Sequence, residues 1–277
     1  MPELPELEIV REVLERRAVG QTITAVQLIP PGSAIVLRDL TTTGFEKVLI
    51  RRTIGSIHRH GKFLVFDLGS DPSKLFLAIN PKLTGRLQLA SDSDKLRLKT
   101  HLILTLSSGD QLRYFDLKQM GQLYLSRELE AVPGYSDVGP EPLEISQDVF
   151  RDRLTRQLGE IKAVLTRGGF VAGIGNAYAD EILWQARLHP HRKTGQLDEA
   201  EVERLYAAMR STLQEAIDQV RSVMKDEIHL KPREFMAVHN KTGEPCPRCG
   251  NAISLVGAND RITNFCRTCQ PGEYSRG

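Results

Sequence analysis

The residues best suited to chemistry lie near the two ends of the chain. At the start stands Met1-Pro2-Glu3-Leu4-Pro5-Glu6. Removal of Met1 would leave Pro2 as a terminal secondary amine with the Glu3 carboxylate beside it. An α-amino group titrates near pH 8, roughly two units below a lysine, so a useful fraction is unprotonated and nucleophilic at neutral pH. Such an amine can attack an electrophilic sugar carbon or aldehyde and pass to an iminium, a Schiff-base intermediate. A neighbouring carboxylate can move the protons that this step requires. The same residues also suit a plain helix start, with Pro5 in the first turn and Glu6 and Glu8 at the positive end of the dipole.

At the other end, Cys246-Pro-Arg-Cys249 and Cys266-Arg-Thr-Cys269 are two Cys-x-x-Cys knuckles, and they hold all four cysteines of the chain. Sixteen residues separate them, enough for a β-hairpin between two tight turns. That spacing presents four thiolates tetrahedrally to one structural Zn2+. Two disulfides or a redox pair are the alternatives, and the absence of a secretory signal disfavours them. A module this small has almost no core, so metal binding would supply most of its folding energy. From Lys231 onward there are seven Lys or Arg against four Asp or Glu. Arg261, just before the second knuckle, is the residue there best placed to touch a phosphate.

A third stretch, Val171-Ala172-Gly173-Ile174-Gly175-Asn176, leads into Ala177-Tyr178-Ala179-Asp180-Glu181. Glycines before a helix allow close backbone approach, and the free N–H groups of the first turn suit an anion. Asn176 could cap that helix or donate to a phosphate. Helical patterns precede the motif, which excludes a dinucleotide-binding turn; a plain helix-to-helix turn remains open.

The elements that must position these residues change character along the chain. Leu7, Val10, Val13 and Leu14 predict an amphipathic helix from about Pro5 to Arg17, ended by Gly20. Short β-like runs follow: 22–29, 47–52, 63–68, 74–79, 86–89, 101–106, 111–115 and 122–125. Turn residues separate them, as in a hairpin-rich sandwich. A Pro- and Gly-rich loop, 132–142, marks a boundary. Helices are then expected over 146–158, 161–166, 176–186 and 198–224, with Ser146 and Asp198 as N-caps. The fold class is α+β and multidomain, divided at 1–132, 133–230 and 231–277. The 277 residues carry 37 Lys or Arg against 35 Asp or Glu, so bulk charge announces no partner. No apolar run is long enough to span a membrane, and the chain reads as a cytosolic monomer.

Together these motifs resemble the formamidopyrimidine-DNA glycosylase and endonuclease VIII family of base-excision repair enzymes. The likeness runs the length of the chain. It rests on 2–8, on Gly61-Lys62-Phe63-Leu64, on 171–181 and on Gly243-Glu244-Pro245-Cys246. It implies a helix and β-sandwich, a helix–two-turns–helix domain, and a zinc-finger hairpin, acting on double-stranded DNA with a damaged base or abasic site. The resemblance makes Pro2 the Schiff-base nucleophile, Glu3 a proton shuttle and Lys62 an aid to elimination. Asn176, Lys162 and His101 match backbone-contacting positions. Arg261 matches the zinc-finger arginine linked to the second elimination, and Cys246, Cys249, Cys266 and Cys269 match the metal ligands.

Two features depart from the family. The wedge motifs read Asn80-Pro81-Lys82-Leu83-Thr84-Gly85 and Asp116-Leu117-Lys118-Gln119-Met120-Gly121, which makes Leu83, Lys118 and Met120 the wedge in place of Met, Arg and Phe. Lys118 lacks the planar fork with which Arg bonds bidentately, while Leu83 and Met120 remain apolar plugs. The segment 220–235 is short and charged where family members specific for 8-oxoguanine carry a longer Gly/Ser/Thr-rich loop. Weaker opposite-base discrimination is expected, with ring-opened purines, oxidised pyrimidines or abasic sites preferred. An endonuclease VIII-like enzyme and a non-catalytic, zinc-stabilised damaged-DNA-binding protein are the alternatives.

Overall fold

The computed structural model of the protein describes residues 1–69, 74–257 and 262–272. It divides into two compact units, Met1–Asp137 with Val220–Pro232, and Val138–Gln219 with Arg233–Gly277. The first boundary falls in the Pro- and Gly-rich loop, and the segment 220–232 groups with the N-terminal unit.

The first unit opens with α1 (Leu4–Ala18). Its start is locked by Glu6, whose Oε2 accepts the Glu3 backbone N–H at 2.8 Å, satisfying one of the orphan donors of a helix N-terminus. Leu4, Leu7, Val10 and Leu14 form its buried stripe. Glu8, on the polar side, accepts from Arg59 at 2.8 Å and so ties the helix to a strand. The remaining elements are β1 (Ile23–Leu28), α2 (Gly32–Val36), β2 (Leu37–Asp39), α3 (Phe45–Leu49), β3 (Ser56–His60), β4 (Phe63–Asp67), β5 (Phe76–Asn80), β6 (Arg86–Ala90), β7 (Thr100–Leu106), β8 (Gln111–Phe115) and β9 (Gln122–Ser126).

The strands form two sheets, ordered β1-β7-β8-β6 and β2-β9-β5-β4-β3, antiparallel except for β2 against β9. In the second sheet β5 lies between β4 and β9 and is buried along its whole length. The β3–β4 hairpin turn holds Gly61 and Lys62, and the β5–β6 and β8–β9 connections, each crossing from one sheet to the other, hold the two motifs of the expected wedge.

One expectation is overturned. Residues 47–52 were expected as a strand, but Phe45–Leu49 is a short helix. Phe45, Val48 and Leu49 fall at i, i+3 and i+4, and all three are buried. Helical spacing won over the β-branched texture of so brief a run.

The second unit contains α4 (Gln147–Thr155), α5 (Ile161–Leu165), α6 (Asn176–Ala186) and most of α7 (Glu199–Met224), followed by β10 (Ser254–Val256) and β11 (Thr263–Phe265). Both anticipated caps form. The Ser146 hydroxyl accepts from Val149 N at 3.4 Å. Asp198 accepts from Glu201 N at 2.7 Å while Glu201 returns a bond to Asp198 N at 3.1 Å, a reciprocal capping box. Strands β10 and β11 pair antiparallel between the two cysteine knuckles, as the spacing required.

Candidate active site

In the first unit, Pro2 and Glu3 are buried at the head of α1. Pro2 lines a pocket with Leu7, Val10, Leu230 and the cations Arg86 and Lys231. An amine at this end of the chain is held far from its ordinary value. The Met1 ammonium is lowered from 8.0 to about 4, first by burial, then by the charges of Lys231 and Arg86, with Glu3 opposing. While Met1 is attached the Pro2 nitrogen is an amide, so the pocket can hold a nucleophilic proline only after Met1 is removed.

Gly61 takes φ +56° in the β3–β4 turn, a conformation that favours glycine, and this aims the chain so that Lys62 follows directly. Lys62 is lowered from the ordinary lysine range, chiefly by burial; Glu3 pulls the other way, and Lys82 adds to the depression. The Glu3 carboxylate thus acts electrostatically on Lys62 while standing next to Pro2 in sequence. Among the described residues Lys62 makes no ion pair.

The two wedge motifs are brought together by Asp116, a fully buried carboxylate. One of its oxygens takes the Thr84 hydroxyl and the Lys118 backbone N–H, and the other takes Gly121 N at 2.7 Å. Thr84 also accepts from Lys118 N at 2.9 Å. Lys118 and Met120 are exposed and Leu83 is half-buried. Close packing beneath the loops fixes two glycines. A Cβ on Gly121 would lie 1.7 Å from the Tyr114 hydroxyl, and one on Gly85 2.2 Å from it. In the sequence Asp116 stands at the head of its motif, and a short acid heading a tight polar loop is its visible signal.

His101 is placed differently from the backbone contact that the resemblance implies. It is 2% exposed and its Nε2 lies 3.1 Å from the Asp116 carbonyl oxygen. It is packed so closely on Gly32 that a Cβ there would fall 2.1 Å from the ring. In this structure its contact is with the wedge loop from within.

In the second unit, α6 begins at Asn176 with Gly175 as its extended N-cap residue. Asn176 does not cap the helix; its Nδ2 donates to the Ile262 carbonyl at 2.7 Å. Lys162 donates to the same carbonyl at 3.1 Å, to Thr263 Oγ1 at 2.7 Å, and pairs with Asp180 Oδ1 at 2.6 Å. Two hydrogen bonds and an ion pair thus hold the ammonium in place. Asp180 is buried, and its other oxygen takes His239 Nδ1 at 2.8 Å. Asp180 lies one helical turn after Asn176, and that i, i+4 spacing was the sequence signal for it. Asn176 and Lys162 are therefore brought together on the chain directly after Arg261. Arg261 itself lies outside the described residues.

The sulfur atoms of Cys246, Cys249, Cys266 and Cys269 all lie within 4.8 Å of one another. Burial opposes ionisation of Cys246, but hydrogen bonds from Trp184 and from the Arg248 and Cys249 backbone outweigh it and bring the thiol to about 6. Burial and the neighbouring sulfurs push Cys269 up to about 12. Four thiols this close resist ionising together, and a divalent cation removes that resistance. The donor set fits one tetrahedral Zn2+.

Comparison with known proteins agrees with this geometry. The chain matches the formamidopyrimidine-DNA glycosylase N-terminal domain over residues 1–123, the H2TH domain of the same enzymes over 138–227, and the zinc finger found in FPG and IleRS over 243–272. It is 36% identical to the formamidopyrimidine-DNA glycosylase of Pelotomaculum thermopropionicum, covering 98% of this chain and 99% of that one. The chain belongs to the formamidopyrimidine-DNA glycosylase family. A Bacillus subtilis relative of the same name is also 36% identical, with the same coverage. Among solved structures, the Lactococcus lactis Fpg bound to DNA containing an abasic site matches with a TM-score of 0.85 and 34% identity, over 98% of this chain and 100% of that one. Members of the formamidopyrimidine-DNA glycosylase family share the helix and sandwich, the helix–two-turns–helix domain and the zinc finger found here. No helix among the described residues is long and apolar enough to cross a membrane.

Proposed function

We propose that this chain is a bifunctional DNA glycosylase and abasic-site lyase of base-excision repair, acting as a monomer in the cytoplasm on double-stranded DNA that carries a damaged base or abasic site. One observation carries the reading: Pro2 and Glu3 are held at the locked start of α1, and the charge of Glu3 acts on Lys62. With Met1 removed, the Pro2 nitrogen would attack C1′ of the flipped nucleotide, forming the C–N bond as the base leaves with a proton. Opening of the sugar gives a protonated imine. This electron sink acidifies the C2′–H bond, and loss of that proton expels the 3′ phosphate. A second elimination expels the 5′ phosphate.

Glu3 and Lys62 would move these protons. Desolvation favours a neutral amine in the Pro2 pocket, where Arg86 and Lys231 oppose a further positive charge. Asn176 and Arg261 would hold phosphates, while Lys162 and His101 would act in the interior positions described above. Zn2+, when bound by the four cysteines, supplies the folding energy of the finger.

Leu83, Lys118 and Met120 would fill the gap left by the flipped base. The short segment 225–232, with no long glycine-rich loop, supports a preference for ring-opened purines, oxidised pyrimidines or abasic sites. The test is borohydride trapping on an abasic duplex, with the N-terminus checked by mass spectrometry. A covalent adduct through Pro2 is expected. Full activity with Met1 intact would overturn the nucleophile, and DNA binding without any adduct would favour the non-catalytic reading. For the lesion preference, 8-oxoguanine opposite C emerging as the best of a lesion panel would overturn it.

A further inference from the structure

The zinc module is attached to α6 along one face of that helix. Glu181 accepts backbone N–H groups from Ala237, Val238 and His239 at 2.8, 2.9 and 2.8 Å. Three residues later, Trp184 reaches the knuckle itself. Its indole Nε1 donates to Cys246 Sγ at 3.4 Å. Arg248, inside the same knuckle, stacks on the indole with its guanidinium carbon 4.0 Å from the ring centroid. The same guanidinium donates to the Trp184 carbonyl at 2.8 Å and to Gln185 Oε1 at 3.1 Å. Trp184 also packs on the small cluster of Val238, Cys246, Ile253 and Cys266.

Backbone N–H groups of a Cys-x-x-Cys turn reach their own sulfur in any such knuckle. The Trp184 donor does not belong to the turn; it comes from a helix 62 positions away. Four thiolates around one dication leave an excess of two negative charges, so a donor aimed at a sulfur and a cation clasping that donor are both favourable. A polar group that orients a ligating atom in this way commonly changes metal affinity by about 10- to 100-fold.

We propose that Trp184 is a positioning residue for the zinc ion, its indole N–H orienting the Cys246 sulfur and Arg248 clamping the indole in place. The contact couples metal retention to α6, the helix that also carries Asn176 and Asp180.

The test substitutes Co2+ for zinc in the full chain and compares the parent with Trp184→Phe, which keeps an aromatic face and removes the donor. Losing an N–H···S bond raises the energy of the sulfur lone pair. The sulfur-to-cobalt charge-transfer band should therefore move to longer wavelength, and chelator-driven release should speed up by about tenfold. Arg248→Met should shift both readings in the same direction by less. An unmoved band overturns the proposal, and faster release with an unmoved band would show that only packing had loosened. Should Trp184→Phe fail to fold, the parent protein supplies the answer, because Trp184 is its single tryptophan. Its fluorescence should change at the rate at which the chelator removes the metal, and emission that stays constant through metal loss overturns the proposal.

Discussion

Lys62, on the β3–β4 turn of the first unit, and Lys162, on α5 of the second, are both mostly withdrawn from water. Their surroundings differ. Lys162 has a carboxylate at 2.6 Å and two oxygen acceptors, so its charge is met by an ion pair and two hydrogen bonds. Lys62 has the more diffuse pull of Glu3 and Glu6, set against burial and the charge of Lys82, and burial wins. A buried amine held by an ion pair and hydrogen bonds is structural. One that is desolvated but incompletely paired is ready to gain or lose a proton, which is what acid–base work requires. The first unit leaves its lysine poised, and the second ties its lysine down.

Substitution of the two lysines should separate these roles. Lys62→Met should cost about a hundredfold or more in the elimination rate on an abasic duplex, measured in single turnover. Lys162→Met should instead leave Asp180 with an uncompensated charge, softened by His239 and the Asn264 N–H. A loss of about 3–5 kcal/mol is expected, read from denaturant unfolding of the second unit. If Lys162→Met folds as stably as its parent and loses only DNA affinity, the contrast drawn here is wrong.

The pH dependence of stability gives a finer discrimination. The folded pKa of Lys62 lies below its ordinary value of 10.5. Between those two values the unfolded chain binds more protons than the folded one, so stability from this group should rise with pH across that window. Lys62→Met should flatten the rise and leave the protein no less stable at pH 7. Unfolding midpoints at several pH values from 7 to 10 would measure it.

The smallest effect expected is at the wedge. Lys118→Arg restores a planar fork to an exposed position, and opposite-base discrimination should sharpen by about 1 kcal/mol, roughly fivefold. Excision of one lesion opposite each of the four bases would report it, with the Lys62 and Lys162 regions unaffected.

The sequence disclosed elements and caps more readily than partners. Ser146 and Asp198 were legible because a cap is a local rule, settled within four residues. The four cysteines were legible because their spacing is itself a geometry. By contrast, Lys162 and His101 were matched to DNA-backbone-contacting positions, and nothing near either in sequence shows that Asp180 lies beside one and the Asp116 carbonyl beside the other. Both partners arrive through tertiary packing, from 18 and 15 residues away. Trp184 was invisible for the same reason. The run 47–52 misled because its β-branched texture hid the helical spacing of Phe45, Val48 and Leu49, which begins two residues earlier.

Asp116 holds Thr84 with one oxygen and Gly121 with the other, and Lys118 N adds a bond to Thr84, so the loops bearing Leu83 and Met120 are tied to each other. Mechanically they form one lever. An insertion into a base step would then be a concerted stroke, with both plugs entering or neither, and the loops' relative freedom is already lost before DNA arrives. Asp116→Asn, which leaves only one acceptor oxygen and the Lys118–Thr84 bond, would loosen that coupling. The cost would be felt in how fast a damaged site is caught and sampled, even where the chemistry at Pro2 is untouched.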